Sequence, residues 1–327
     1  MPRRTVLITA AVVIAGIMAV LIEPTGKVLG WLRGEPFLDG RPLGYWSAQL
    51  NGSPAENAAA LEALGVADRA ESEPMLVALY HHRSDADAAE QRWTALELLT
   101  KLAPLGDPGQ AALIAALHDP DEHVRSVAVA ALPKAGVTAD RAVPLLVEQL
   151  QGSADVVAAR ALSEYRGAAV TALPDLLQLM SNAAASVEAR WNAVRTIGKI
   201  GPEAVTALPA LIDELDHPED TIREHAAEAI GDLGPSTAEL GVPALRGVLN
   251  DPYVKVRRDA VRSLGYIGPA AAAAVDDILP LLQDPEQIVR VAAREALQKI
   301  APERAPPADA SAPQTQPAGL STQPGAR

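Results

Sequence analysis

In the stretch TIREHAAEAIGDLGP, residues 221–235, the apolar residues Ile222, Ala226, Ala229, Ile230 and Leu233 recur at intervals of three and four. That spacing puts them on one face of a helix. Gly234-Pro235 predicts the end of the helix, because proline lacks an N–H donor and clashes with the preceding turn. A second apolar series follows at Leu245, Val248 and Leu249, introduced by Pro243, a residue tolerated in a first helical turn where backbone donors have no partner anyway. Neither helix can bury its stripe alone. The pattern therefore predicts a helix pair that stacks against copies of itself.

The copies are present. DPDEHVR (119–125), HPEDTIR (217–223), DPYVKVR (251–257) and DPEQIVR (284–290) align on a proline five residues before an arginine. The arginines stand at 125, 223, 257 and 290; the last two intervals are 34 and 33 residues, and the first, 98, is close to three of them. Arg190 fills one intervening unit, and in the other Asp155 takes the arginine's place. Gly201-Pro202, Gly234-Pro235 and Gly268-Pro269 recur in step, each proline twelve residues after its arginine. Two less regular units fit residues 53–83 and 89–118. A period in this range specifies a solenoid in which each unit touches only its neighbours. Pro280 falls inside the second helix of its unit and predicts altered geometry there.

The pattern D-P-x-x-x-[VI]-R-x-x-A-x-x-A-[LI]-G-x-[LI]-G-P resembles HEAT repeats, in particular the bacterial PBS-lyase HEAT-like kind, over residues 53–301. The resemblance implies an all-α fold, an α-solenoid of about seven to eight stacked helix pairs. It further implies that loop aspartates and helix arginines bond to one another and to neighbouring repeats, a structural ladder of Asp119, Arg125, Arg190, Arg223, Asp251, Arg257, Asp284 and Arg290. His217 and Asp155, standing where the pattern has Asp and Arg, are expected to interrupt it. Second helices generally line the concave side of such solenoids, so Glu148, Asp175, Asp213, Glu214, Arg246, Asp276 and Asp277 become the candidate partner surface. Their acidic balance points to a basic peptide or protein.

The ends of the chain read differently. Arg3-Arg4 precedes a 17-residue run, Val6 to Ile22, whose only polar member is Thr9. Two cations before a charge-free run of this length predict a signal anchor or transmembrane helix over residues 1–23, and the positive-inside rule then puts the repeats on the extracytoplasmic side of the membrane. The alternative is a cleaved signal and secretion, with a weak small-x-small site at Ala15 to Ala19. Residues 24–52 hold Trp31, Phe37, Tyr45 and Trp46, four of the chain's ten aromatics, and are expected to cap the first repeat. Residues 302–327, rich in Pro, Ala, Ser and Gln, cannot offset ordering entropy and are expected to be disordered.

Composition narrows the chemistry. The chain has no cysteine, which excludes disulfides, thiolate metal sites and cysteine nucleophiles. Its net charge is −13 and its 28 Lys and Arg are scattered, so no footprint for a phosphate backbone exists and no nucleic-acid partner is expected. Nucleotide-binding, nucleophile-elbow and HExxH motifs are absent. The recurring Gly-x-x-Gly ends helices, where phosphate cradles begin them. Among the six histidines, His118 and His123 flank acidic residues of one loop, while the adjacent His81 and His82 point apart on a helix. The pair Glu224-His225 resembles, in reverse order, the His-Glu dipeptides that hold two irons in deoxyhypusine hydroxylase, a HEAT-repeat enzyme. No His-Glu occurs in the chain and no other unit supplies a second histidine, so neither metal nor other cofactor is expected and both residues are read as solvent-facing. Phycobilin lyase, the other enzyme of the resemblance, acts on cysteine-linked tetrapyrroles in the cytoplasm, which conflicts with the predicted anchor. The expected function is a non-catalytic, membrane-tethered scaffold that holds a protein or peptide.

Overall fold

The computed structural model describes residues 26–82 and 89–305. The segment expected to be a signal anchor, residues 1–23, and residues 306–327 of the tail lie outside them. Among the described residues no helix is long and apolar enough to cross a membrane.

After a short helix α1 (Lys27–Leu32), strands β1 (Phe37–Leu38) and β2 (Arg41–Pro42) pair antiparallel, Phe37 opposite Pro42 and Leu38 opposite Arg41. Asp39 and Gly40 between them both have positive φ, 48° and 64°, the conformation that an Asp-Gly hairpin turn needs. This two-residue ribbon is the one departure from the expected all-α content among the described residues. It leads into α2 (Leu43–Leu50), whose Leu43, Trp46 and Leu50 are buried against the first repeat. Trp46 donates its indole N–H to the Leu38 carbonyl at 3.2 Å. Capping therefore falls to Leu38 and Trp46, with half-buried Tyr45 packed beside them, whereas Trp31 is 73% exposed.

The solenoid follows as α3 (Pro54–Val66) and seven helix pairs. One series, at the ladder positions, comprises α5 (Ala89–Lys101), α7 (Glu122–Ala131), α9 (Asp155–Glu164), α11 (Val187–Ile200), α13 (Asp220–Asp232), α15 (Val254–Ile267) and α17 (Gln287–Ile300). The other, carrying the prolines, comprises α4 (Arg69–His82), α6 (Asp107–Ala116), α8 (Ala139–Gln149), α10 (Leu173–Ser181), α12 (Leu208–Asp213), α14 (Ala238–Gly247) and α16 (Val275–Ile278). The predicted stripe of α13 is the core: Ile222, Ala226, Ala229, Ile230 and Leu233 are all at most 1% exposed.

Glycine sets the boundaries between the two series. Gly201, Gly234 and Gly268 have φ of 85°, 88° and 75° with ψ between −143° and −171°, a region closed to residues with a Cβ. The chain can reverse there only at glycine, and the following proline then starts a 3₁₀ turn. Those turns correct one expectation. The proline opens the second helix at Pro174 in α10 and Pro209 in α12, but Pro144 and Pro243 lie inside α8 and α14, because the residues before them are α-helical where other repeats use 3₁₀. At Pro280 the helix shortens to the four residues of α16 and continues as 3₁₀ over Leu279–Gln283. The tail boundary also moves: Pro302–Arg304 forms a turn, with Arg304 2.8 Å from Asp276.

Which series faces the concave side is decided by small residues. A Cβ on Gly198 would stand 2.7 Å from Ala229 Cα, one on Gly231 2.7 Å from Ser263 Cα, and one on Gly265 3.0 Å from Ala296 Cα. From α11 to α17 consecutive arginine-bearing helices thus meet backbone to backbone. Hydroxyls lock the same approach, with Thr196 donating to the Ala159 carbonyl at 2.8 Å and Ser263 to the Ala227 carbonyl at 2.7 Å. In a curved stack the layer with the shorter helix spacing is the inner one. The arginine-bearing helices therefore line the concave face, which reverses the expectation that the second helices do.

Candidate binding face

The ladder joins each inner helix to the loop of the next repeat. Arg223 bonds both oxygens of Asp251 at 2.8 and 3.1 Å, and Arg257 bonds those of Asp284 at 2.9 and 3.1 Å. Each arginine also donates to the carbonyls of its own loop, Arg223 to His217 and Pro218 and Arg257 to Asp251 and Pro252. The aspartates accept a backbone N–H two residues on, Tyr253 to Asp251 and Glu286 to Asp284. Burial raises the Asp284 carboxyl, but the Arg257 and backbone bonds outweigh it and hold the group below the usual carboxylate range. The most enclosed rung is Arg92–Asp119, two bonds of 2.8 Å with both side chains at most 4% exposed. Arg92 escaped the motif search, although it precedes Arg125 by one period, because the loop before it lacks the Asp-Pro.

Three positions depart from the pattern. Arg125 meets Ser153 at 3.1 Å instead of an aspartate, Arg190 meets His217 at 3.0 Å, and Arg290 bonds the Asp284 and Pro285 carbonyls. Asp155 takes the register of the missing arginine, three residues before the buried Ala158, as Arg125 stands before Ala128. No rung leaves it among the described residues.

Across the inner face, side chains between the rungs form a second network. Arg160 on α9 bonds Glu188 at 2.6 Å and Asn192 at 3.1 Å and lies 5.8 Å from the centroid of Trp191. The Trp191 ring stacks on His225 of α13, centroids 4.7 Å apart and planes 21° apart. Lys199 on α11 reaches Glu228 at 2.9 Å and Asp232 at 2.7 Å. The His225 contact and the Lys199 ammonium outweigh burial and hold the Glu228 carboxyl down to about 2. Burial instead keeps Asp232 above its ordinary range despite Lys199. Further along, Arg258 grips Asp259 at 2.6 and 2.8 Å and reaches Glu224 at 3.4 Å. Arg262 bonds the Tyr266 hydroxyl at 2.9 Å, and Lys299 sits 4.6 Å from that ring's centroid.

This corrects the reading of Glu224 and His225 as solvent-facing. Glu224 is 7% exposed and faces Arg258 and Lys255. His225 lies between Trp191 and Glu228, covered because its neighbours across the inner layer carry large side chains. His118 and His123 are both exposed, and His123 meets the edge of Trp93 at 5.2 Å. His81 packs on Tyr80. Among the described residues no group of three or more His, Asp or Glu is close enough to hold a metal ion.

The seven partner-surface positions expected on the second helices lie in or beside the outer layer instead, and part of their charge is internally neutralised. Arg246 pairs with Asp277 at 2.5 Å and Asp276 with Arg304. Glu148 and Asp213 are exposed and Asp175 half-buried, while Glu214 has one carboxylate oxygen buried without a hydrogen-bond partner. Sequence reasoning missed the inner network because its members occupy positions that vary from unit to unit, where periodicity carries no signal.

Solved karyopherin and importin structures share this architecture. The karyopherin Kap121p bound to the SUMO protease Ulp1p matches with a TM-score of 0.61 at 16% identity, over 79% of this chain and 33% of that one. Importin beta matches with a TM-score of 0.56 at 16% identity, over 79% and 40%. This chain therefore spans well under half the length of either. The CpcE–CpcF complex of phycocyanin lyase from Nostoc matches with a TM-score of 0.43 at 26% identity, over 68% and 85%. No curated protein sequence matches the chain. Residues 173–252 and 242–308 match the family model of HEAT repeats, the matches beginning in the proline-bearing helices α10 and α14, and over these residues the chain is built of HEAT repeats.

Proposed function

We propose that the chain is a non-catalytic scaffold that holds a protein partner against its inner face. The observation that carries this is the row of Arg160, Trp191, His225, Arg262, Tyr266 and Lys299, polar and aromatic side chains spread over five inner helices of one concave surface. Rigid rings and arginines are the side chains that dominate protein interfaces. They stand on helices locked by backbone contact, so little ordering entropy is lost on binding. The karyopherin of similar fold holds a protein in its described complex, which supports the same use of the fold here. The inner row mixes cations with Glu228 and Asp232, so it does not by itself ask for a basic partner.

The scaffold is tethered, on this reading, to a bacterial cytoplasmic membrane through residues 6–22, with the repeats extracytoplasmic. The exposed Val28, Trp31 and Leu32 of α1 support this, since they form an apolar surface close behind that run, where indole rings favour the membrane interface.

The test is affinity capture with the full chain from detergent-solubilised membranes, comparing the native sequence with Trp191→Ala/Tyr266→Ala and with the outer-face control Glu148→Ala. A defined protein that is retained by the control and lost by the double variant is the expected result; equal capture by all three would defeat the inner-face assignment. Metal analysis and a visible spectrum of the purified chain address the non-catalytic reading, which stoichiometric iron or a bound chromophore would overturn.

A further inference from the structure

The inner layer is packed through glycine only in its second half, since α5, α7 and α9 carry none. From α11 to α17 successive inner helices meet through glycine, but between α3 and α5 the nearest glycine approach is far looser, a Cβ on Gly65 lying 3.8 Å from Leu98 Cδ2. The space left between the two helices is a cavity of about 740 Å³. That is the size of a site for a small ligand or a short peptide segment.

Gln91 lines this cavity and breaks the repeat. It immediately precedes the ladder arginine Arg92, and the residues that precede the other ladder arginines are Val124, Ala189, Ile222, Val256 and Val289, all 0% exposed. Every other arginine-bearing repeat thus fills the position with an aliphatic side chain, whereas Gln91 is 8% exposed and its amide nitrogen has no hydrogen-bond partner. A buried donor left unsatisfied costs stability. Sites where a repeat breaks its own packing rule at such a cost are where function is expected. Half-buried Trp93 and Leu61 line the same cavity, and the exposed Glu62, Glu90, Glu97 and Lys101 stand around it. Three carboxylates against one ammonium leave the mouth acidic, and no ion pair among the described residues neutralises them.

We propose that the cavity between α3 and α5 binds an extended peptide segment through a Lys or Arg side chain. This rests on the reading that the inner face holds a protein. Glu62, Glu90 and Glu97 attract the cationic head, Trp93 and Leu61 pack its aliphatic stem, and the Gln91 amide, covered in the free chain, turns outward on binding to donate to a main-chain carbonyl of the segment. A hydrophobic stem with a charged tip matches a cavity that offers Trp93, Leu61 and Leu98 for apolar contact beside carboxylates at its rim.

The test uses the full chain in detergent and fluorescein-labelled nine-residue peptide libraries, random except for a fixed central Lys, Arg, Leu or Glu, read by anisotropy. The Lys and Arg libraries are expected to bind about tenfold more tightly than the Glu library, and Glu90→Gln/Glu97→Gln is expected to abolish that preference. Gln91→Val restores the residue the repeat uses, so it folds; it is expected to raise the melting temperature and to weaken all libraries by about five- to tenfold. Unchanged affinity in Gln91→Val, or a Glu library that binds as well as Lys, overturns the proposal. Loss of the captured protein in Trp191→Ala/Tyr266→Ala but not in Gln91→Val would refute this pocket and leave the scaffold standing; no captured protein at all would refute the scaffold.

Discussion

Arg190 Nη2 lies 3.0 Å from His217 Nε2, the one rung of the ladder in which an arginine faces an imidazole. His217 occupies the place of the rung aspartate, down to the local bond, since its Nδ1 lies 3.0 Å from the Glu219 N–H as the aspartates lie from theirs. Both ring nitrogens therefore face donors, and a neutral imidazole has a single acceptor nitrogen. One of the two contacts is always unsatisfied. An aspartate would accept all of these bonds at once.

His217→Asp is accordingly expected to stabilise the chain by about 1–2 kcal/mol, the worth of a charge-assisted pair gained on a partly buried face. Urea unfolding reads this as a higher midpoint at unchanged slope. A midpoint equal to or below the native one would mean that the imidazole satisfies the rung as well as a carboxylate does.

Asp119→Ala removes the carboxylate from the most enclosed rung and leaves the Arg92 guanidinium buried without it. Breaking one side of a buried ion pair costs about 3–5 kcal/mol. The same change at Asp251, whose arginine keeps 14% side-chain exposure, is expected to cost less. Parallel denaturant titrations of the two variants rank the rungs, and equal losses would contradict the assignment by burial.

Gly198→Ala sets two effects against each other. Alanine gains about 1 kcal/mol in helix propensity, but its Cβ would stand 2.7 Å from the backbone Cα of Ala229, which cannot move without shifting α13. Overpacking of this kind costs typically about 1–3 kcal/mol. The clash is expected to win, with a net loss of about 1–2 kcal/mol in thermal unfolding; a stabilised variant would show that the inner helices are free to part.

Glu228 has a carboxyl depressed in the folded chain from 4.5 to about 2. A depressed carboxylate stabilises the fold fully above its unfolded value, and that contribution is lost as pH falls from about 4.5 toward 2. Glu228→Gln should therefore cost about 1–2 kcal/mol at pH 7 and flatten the acid limb of the stability profile over that window. The figure stays below the full linkage value because the His225 contact is long, 3.4 Å, and the side chain is 28% exposed. An acid limb of unchanged slope would remove Glu228 from the Lys199 network.

The solenoid was legible in the chain because each unit repeats its own local rules. The stripe Ile222, Ala226, Ala229, Ile230 and Leu233 needed only a helical period, and Gly-Pro needed only backbone sterics. Asp39-Gly40 carries an equally local hairpin signal, which the all-α expectation passed over. The Arg223–Asp251 and Arg257–Asp284 rungs were implied by the resemblance to HEAT repeats, and the stack of like units brings these partners, one period apart, together.

Tertiary structure alone decided the rest. Which layer is concave depends on whether Gly198, Gly231 and Gly265 meet small residues one repeat later, a contact between units that no single unit encodes. The stacking of Trp191 on His225 and the burial of Glu224 depend on side chains that differ from one repeat to the next, so periodicity is blind to them. The same holds for Gln91. By type it is an ordinary polar residue, and only its place in a core position beside the gap between α3 and α5 leaves its amide without a partner.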